Sequence, residues 1–67
     1  MVTVFSVTPD FEGKDYIVFY GLPGDEKPVG DYYVKSRSRI LHIANGSVFC
    51  EINGDKYYYD AEHKRWL

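Results

Sequence analysis

The residues best suited to chemistry in this chain are one thiol, Cys50, and two imidazoles, His42 and His63. A thiol activated by a histidine is a nucleophile, provided that the two side chains touch. The strand pattern described below places Cys50 and His42 on opposite faces of a predicted sheet, and His63 in a solvated tail. We therefore expect Cys50 to be a small core residue and predict no nucleophilic catalysis.

Carboxylates are the second candidate for chemistry, because paired acids perform acid–base catalysis. The acidic residues of the first half lie in predicted loops, where no apolar wall would raise a carboxyl pKa. One cysteine and two histidines do not make a zinc-binding pattern. The glycine-rich segment 21–31 lacks the Gly-Lys-Ser/Thr ending of a phosphate-binding loop. The sequence therefore predicts no enzyme, no metal site and no cofactor.

Length and composition indicate one small globular domain that spans residues 1–67. A chain of 67 residues buries only roughly 60% of the surface that its unfolded form exposes. Its single cysteine leaves no internal disulfide to compensate. Aromatic residues make up 18% of the chain, so we expect stability to come from a dense aromatic core or from self-association.

The sequence predicts neither a signal peptide nor a membrane span. The segment 1–7, MVTVFSV, has no basic region, and no apolar stretch approaches the ~18 residues of a membrane span. A lone thiol is typical of reducing compartments. We expect a cytoplasmic protein that does not contact a membrane.

Two Asn-Gly pairs, at 45–46 and 53–54, predict hairpin turns because Asn-Gly supplies the two positive-φ residues of a type I′ turn. They predict an antiparallel meander with these opposed pairs: Ile43 and Val48, His42 and Phe49, Leu41 and Cys50, Glu51 and Lys56, Cys50 and Tyr57, Phe49 and Tyr58, Val48 and Tyr59. One face of the meander is apolar and is predicted to be core: Leu41, Ile43, Val48, Cys50, Tyr57 and Tyr59.

The N-terminal half carries weaker strand signals. Val2–Val7 is rich in β formers, and Tyr16–Tyr20 is a bulky apolar run that predicts a buried central strand. Residues 21–31 hold prolines and glycines and predict a loop, followed by a strand over Asp31–Lys35. Strict alternation after that would put cations in line with the core, so we expect a bulge or bend near Ser38, or a stretch beyond the sheet edge.

The C-terminal tail, Asp60–Leu67, fits either a short helix or a turn into a last strand over Arg65–Leu67. In both cases Trp66 and Leu67 are expected to cover an open end of the core. The predicted fold is mostly β: a small antiparallel meander of five to six short strands that closes into a partly open barrel or a twisted sheet, with a short C-terminal helix as an option.

Two surfaces are candidates for binding. His42, Phe49 and Tyr58 fall in a row on the wetter face of the predicted meander, where aromatic rings can stack the bases of a single-stranded nucleic acid or anchor a protein interface. The N-terminal strands or the tail could instead cover this row as a second core layer. The second surface is the acidic Pro/Gly loop that carries Asp25 and Glu26. Both surfaces favour a protein partner.

Lys35, Arg37 and Arg39 stand at every other position, so on an extended strand they would line one side at about 6.6 Å spacing. This spacing suits the phosphates of a nucleic acid. The net charge of −2 is unlike that of most nucleic-acid binders, and alternating cations also protect an edge strand from aggregation.

The leading hypothesis from sequence is therefore a small non-catalytic protein-interaction module, such as an adaptor, an inhibitor or a viral accessory protein. The alternative is a small β-barrel nucleic-acid-binding protein. A third hypothesis is an obligate homo-oligomer with a structural role, such as a component of a viral particle, because a small core favours self-association.

Overall fold

The computed structural model describes residues 2–10, 12–35 and 38–67. These residues form seven β-strands and no α-helix. The strands are β1 (Thr3–Pro9), β2 (Asp15–Gly21), β3 (Asp31–Val34), β4 (Arg39–His42), β5 (Val48–Glu51), β6 (Lys56–Asp60) and β7 (Arg65–Trp66). The prediction of a mostly β fold is confirmed, with seven described strands in place of five to six.

The strands divide between two sheets. Five form a sheet in the order β1-β2-β5-β6-β7, and β3 pairs with β4 as a separate hairpin. β2 and β5 run parallel, whereas the other pairs are antiparallel. The five-stranded sheet is open and does not close into a barrel. β2, which contains the run Tyr16–Tyr20, is an interior strand between β1 and β5, as predicted for a central strand. The prediction that the run is buried holds only for Ile17 and Phe19, because Tyr16 and Tyr20 are 38% and 43% exposed.

The hairpin predicted around Asn45-Gly46 is wrong. β4 pairs with β3, while β5 leaves the turn to run parallel to β2 at the centre of the other sheet. Gly46 has a φ of 85°, but Asn45 has no positive φ, so the pair does not form a type I′ turn. The Asn45 Oδ1 instead accepts the backbone N–H of Ala61 at 3.0 Å. This Asn-Gly turn therefore transfers the chain between sheets.

The hairpin at Asn53-Gly54 is confirmed, but its predicted register is wrong by one residue. Val48 pairs with Tyr58, and Phe49 pairs with Tyr57. The loop holds three residues, 52–54. It is closed by a hydrogen bond of 2.7 Å from the Glu51 N–H to the Asp55 carbonyl. Only Gly54, at φ 102°, takes the left-handed conformation in this loop, as in three-residue hairpins.

A one-residue shift in register exchanges the two faces of a strand. Phe49 therefore points into the core, while Val48 and Cys50 point to the opposite side and are half-buried. The predicted cross-strand pair of Glu51 with Lys56 is replaced by an ion pair of Glu51 with Lys27, at 3.3 Å. The prediction that Cys50 is a core residue is wrong for the same reason.

The remaining connections match their predictions. Residues 22–30 form the predicted loop between β2 and β3. A turn separates β3 from β4. The Ser38 N–H donates a hydrogen bond of 3.3 Å to the Lys35 carbonyl, and Ser38 has a φ of 48°. The bend expected near Ser38 is thus confirmed. The tail turns at residues 61–64 into β7, so the strand form of the tail is the one observed.

The core lies between the five-stranded sheet and the β3–β4 hairpin. The sheet side that faces the hairpin, here called the inner face, contributes Ile17, Phe19, Phe49 and Tyr59, and the hairpin side contributes Leu41 and Ile43. Trp66 closes one end: its ring lies 5.9 Å from that of Phe49, and its Nε1 donates to the Pro28 carbonyl at 2.7 Å. Trp66 covers the core as predicted, whereas Leu67 is 62% exposed and does not.

Candidate functional site

The opposite side of the five-stranded sheet, here called the outer face, is not covered by the hairpin. It is polar along β1, where Thr3, Ser6 and Thr8 lie, and mostly apolar on the other strands. Its apolar side chains are Phe5, Tyr16, Val18, Tyr20, Val48, Cys50, Tyr58 and Leu67. Phe5 is 70% exposed, and Tyr58 is 54% exposed. Monomeric proteins rarely leave so many large apolar side chains together in water, and contiguous patches of this kind often mark interaction sites.

The strand register aligns these side chains across the sheet. Val18 lies beside Val48 in the parallel pair, and Val48 lies beside Tyr58 in the next. Tyr58 and Leu67 exchange backbone hydrogen bonds at 2.9 and 3.0 Å, which continues the row to the sheet edge. The middle of the outer face is therefore a continuous apolar row, fixed by the backbone ladder.

Phe5 joins this face through a bulge in β1. The β1–β2 register shifts between Val4 and Ser6, which leaves Phe5 as the extra residue. The Phe5 ring packs edge-on against Tyr20, with centroids 5.2 Å apart and planes at 72°. Two aromatic rings are thus held against each other on the surface.

A shallow depression of about 200 Å³ adjoins Tyr20 at one end of the outer face. Leu22 and Ile52 line it together with Thr3 and Gly21. Ile52, at the tip of the β5–β6 hairpin, is 75% exposed. The depression extends the apolar surface toward the loop 22–30.

Charges lie at the ends of the outer face and not in its middle. In β6, Lys56 and Asp60 stand at the two ends, on either side of Tyr58. The hydrogen bond from His63 Nδ1, at 2.8 Å, lowers the pKa of the Asp60 carboxyl. Arg65 Nε lies 3.9 Å from the same carboxylate. The centre of the face therefore offers contact area without a charge to desolvate.

The predicted row of His42, Phe49 and Tyr58 does not exist in the structure. Phe49 is fully buried on the inner face, so its prediction as a binding residue is wrong. His42 lies in the other sheet, with Nδ1 2.7 Å from Asp31 Oδ1. Only Tyr58 belongs to the outer face.

The predicted line of cations is also wrong where the structure describes it. Lys35 follows β3, and Arg39 begins β4, so the chain reverses between them. Arg39 lies 3.5 Å from Asp15. Arg37 lies outside the described residues. Lys35 and Arg39 therefore do not lie on one extended strand, which is the arrangement that the nucleic-acid hypothesis requires.

In the acidic loop, the side chains of Asp25 and Lys27 contact other residues of this chain. Asp25 is half-buried, and its Oδ2 accepts the backbone N–H of Leu22 at 2.8 Å. Lys27 stands over the Tyr57 ring at 4.3 Å and pairs with Glu51. Glu26 is exposed, and it is the carboxylate in this loop that remains a candidate for contact with a partner.

The candidate catalytic groups are separated. Cys50 is half-buried in β5 and His42 is exposed in β4, and these strands belong to different sheets. His63 is hydrogen-bonded to Asp60 in the tail. Asp60, Glu62 and His63 have ligand-type atoms within 4.8 Å of one another, but an exposed cluster of this kind is common on protein surfaces without an ion.

Comparison with protein-family models, curated protein sequences and solved structures gives no match for this chain. In the described part of the chain, no helix has the length and apolar character needed to span a membrane.

Proposed function

We propose that this chain is a small non-catalytic protein-interaction module that binds a protein partner through its outer face. The observation that carries the proposal is the row of apolar side chains across the uncovered side of the sheet, flanked by the Phe5–Tyr20 ring pair. Large rings that become buried at the centre of an interface supply most of the binding energy in many complexes.

The geometry of the face favours binding in a second way. Val18, Val48 and Tyr58 are carried by strands that are bonded to neighbours on both sides. A contact surface on a rigid sheet loses little conformational entropy when it binds. The depression between Leu22 and Ile52 gives a flat face one concave feature for an apolar side chain of the partner.

Two tyrosines of nearly equal exposure provide a matched test. Tyr58 on the outer face is 54% exposed, and Tyr33 on the β3–β4 hairpin is 53% exposed. We expect Tyr58→Ser to reduce affinity for a captured partner by at least about tenfold, as is typical of an interface hot spot. Tyr33→Ser should leave that affinity unchanged.

The measurement is a binding isotherm of each purified variant against a protein captured from an extract of the producing cells. Loss of affinity in Tyr33→Ser, or unchanged affinity in Tyr58→Ser, would contradict the assignment of the outer face. Circular dichroism of both variants should show the same folded spectrum as the parent.

Nucleic acid remains the alternative ligand class, because exposed rings on a sheet can stack bases. Fluorescence anisotropy with single-stranded and duplex oligonucleotides, at low and near-physiological salt, separates the classes. Micromolar binding that falls steeply with salt and is lost in Tyr58→Ser would assign the outer face to nucleic acid instead of protein.

A further inference from the structure

We propose that the partner of the outer face is a second copy of this chain, so that two sheets pack face to face in a symmetric dimer. The inference rests on the proposed function, since it names the partner of the same surface. It is carried by three properties of the face: its size, the arrangement of its charges and the arrangement of its rings.

The size of the face suits a weak dimer. The sheet has five strands, and its two longest strands have seven residues each. Strands about 4.8 Å apart that rise about 3.3 Å per residue give a face of roughly 20 × 20 Å. Such a face offers on the order of 500 Å², which is the range of weak, transient interfaces. A chain of 67 residues has few other ways to bury apolar surface, and small domains commonly gain stability from a second subunit.

The charges on β6 are complementary to their own rotated copy. Lys56 lies at one end of the strand and Asp60 at the other, with Tyr58 midway. Asp60 also accepts a hydrogen bond from His63 and lies 3.9 Å from Arg65 of its own chain, so Lys56 of the partner subunit would be a further cation beside it. A two-fold axis that lies between the sheets, perpendicular to β6 and level with Tyr58, places Lys56 opposite Asp60 of the partner subunit. In a symmetric dimer the same contact is made twice.

The same axis brings the rings together. Tyr16 and Tyr20 lie toward opposite ends of β2, on either side of Val18. The rotation places Tyr16 opposite the partner's Tyr20, next to the depression lined by Leu22 and Ile52. Val18 then meets its own copy at the centre of the interface.

The edges of the sheet are poorly suited to self-association. β1 carries a bulge at Phe5 and ends at Pro9, and β7 is only two residues long. Bulges, prolines and very short strands are features that block edge-to-edge pairing. The broad face is therefore the better surface for a second copy.

Sedimentation velocity over a concentration series from about 1 µM to about 1 mM, a range that brackets weak and moderate dimers, tests the proposal. We expect the parent chain to pass from monomer to dimer. Tyr58→Lys places two like charges together at the axis and should raise the dimer dissociation constant about 100-fold. The matched control, Tyr33→Lys, should dimerise like the parent.

A charge exchange tests the orientation. Lys56→Glu should weaken the dimer because it opposes two acids, and adding Asp60→Lys should restore it. Fluorescence of Trp66, which contacts Phe49 and Phe19 in the core, shows whether each variant is folded. A weakened single variant with no restoration in the double variant would overturn the antiparallel arrangement.

The dimer and the proposed function fail in different ways. A parent chain that stays monomeric over the whole concentration range overturns the dimer. If affinity for a captured protein still depends on Tyr58 and not on Tyr33, the protein-binding face stands with another partner. Dimerisation that survives Tyr58→Lys and is lost in Tyr33→Lys would move the interface to the hairpin and overturn the dimer proposed here.

Discussion

The inner and outer faces of the five-stranded sheet are built from the same kinds of residue but have opposite environments. On β2, Ile17 and Phe19 are fully buried, whereas Val18 between them is half-buried and Tyr20 is 43% exposed. The difference lies in what covers each face. The β3–β4 hairpin and Trp66 cover the inner face, and the described chain has no further element for the outer one.

This comparison separates the residues that stabilise the fold from those available for a partner. A side chain enclosed on all sides contributes both transfer and packing energy, and its removal leaves a cavity. A half-exposed ring on the outer face contributes much less to the monomer. The two faces should therefore respond very differently to the same substitution.

The largest expected difference is between Phe49 and Tyr58, which stand on neighbouring strands and on opposite faces. Phe49→Ala should lower the free energy of unfolding by about 3–5 kcal/mol, because it empties the centre of the core. Tyr58→Ala should change it by about 0.5 kcal/mol at concentrations where the chain is monomeric. Urea unfolding followed by Trp66 fluorescence measures both, and similar losses would break the comparison.

A buried hydroxyl gives the next effect. Ser47 Oγ accepts the Ile17 N–H at 3.1 Å and donates to the Ala44 carbonyl at 2.8 Å, with the serine fully buried. Ser47→Ala leaves that N–H without its acceptor and should cost about 1–3 kcal/mol. The control, Ser6→Ala on exposed β1, should be neutral in the same denaturation experiment. Equal effects would remove the role assigned to the Ser47 hydroxyl.

Gly21 offers a test of how closely the inner face is packed. A Cβ at this position would lie 2.5 Å from the Phe49 ring, at a glycine without a positive φ. Gly21→Ala should therefore destabilise by about 1–3 kcal/mol through overpacking. Combining it with Phe49→Leu relieves the clash, so the double variant should be more stable than the sum of the single effects implies. Additive effects in this cycle would contradict the close approach.

The smallest effect concerns the tail beside the outer face. The hydrogen bond from His63 lowers the pKa of the Asp60 carboxyl below its ordinary value of 3.8. The bond therefore stabilises the folded chain at pH values above 3.8, and this stabilisation is lost as the pH falls through the lowered pKa. His63→Ala should return the Asp60 titration midpoint toward its ordinary value. Arg65→Ala, which removes a more distant partner at 3.9 Å, should shift it less. Carbon-detected NMR titration of the carboxyl group measures both midpoints.

Much of the fold follows from local sequence signals. The β formers, the Pro/Gly loop, the bend near Ser38 and the docking of Trp66 each have a local physical cause, and all are observed. The pairing of the strands does not follow from local sequence signals, because an Asn-Gly pair fits several turn types. At Asn45-Gly46 the turn joins two sheets, and at Asn53-Gly54 it adds a third loop residue.

The third residue in the loop between β5 and β6 explains why the binding surface was predicted incorrectly. A register shifted by one exchanges Phe49 with Val48 and Cys50 between the faces, so one ring predicted for the surface became the centre of the core. The rings of β2 were missed because Tyr16–Tyr20 is bulky at every position. Such a run does not show which alternate set is covered, because the cover comes from residues distant in sequence.

Hydroxyl-radical footprinting with mass spectrometry tests the central claim, that the outer face is the contact surface, most directly. The chain is oxidised at low concentration and again in its complex, formed at high concentration or with a captured protein. Oxidation of Phe5, Tyr20 and Tyr58 should fall in the complex, while that of Tyr33 and Ile40 on the hairpin should not change. Protection of Tyr33 and Ile40 with no protection of the outer rings would contradict the account.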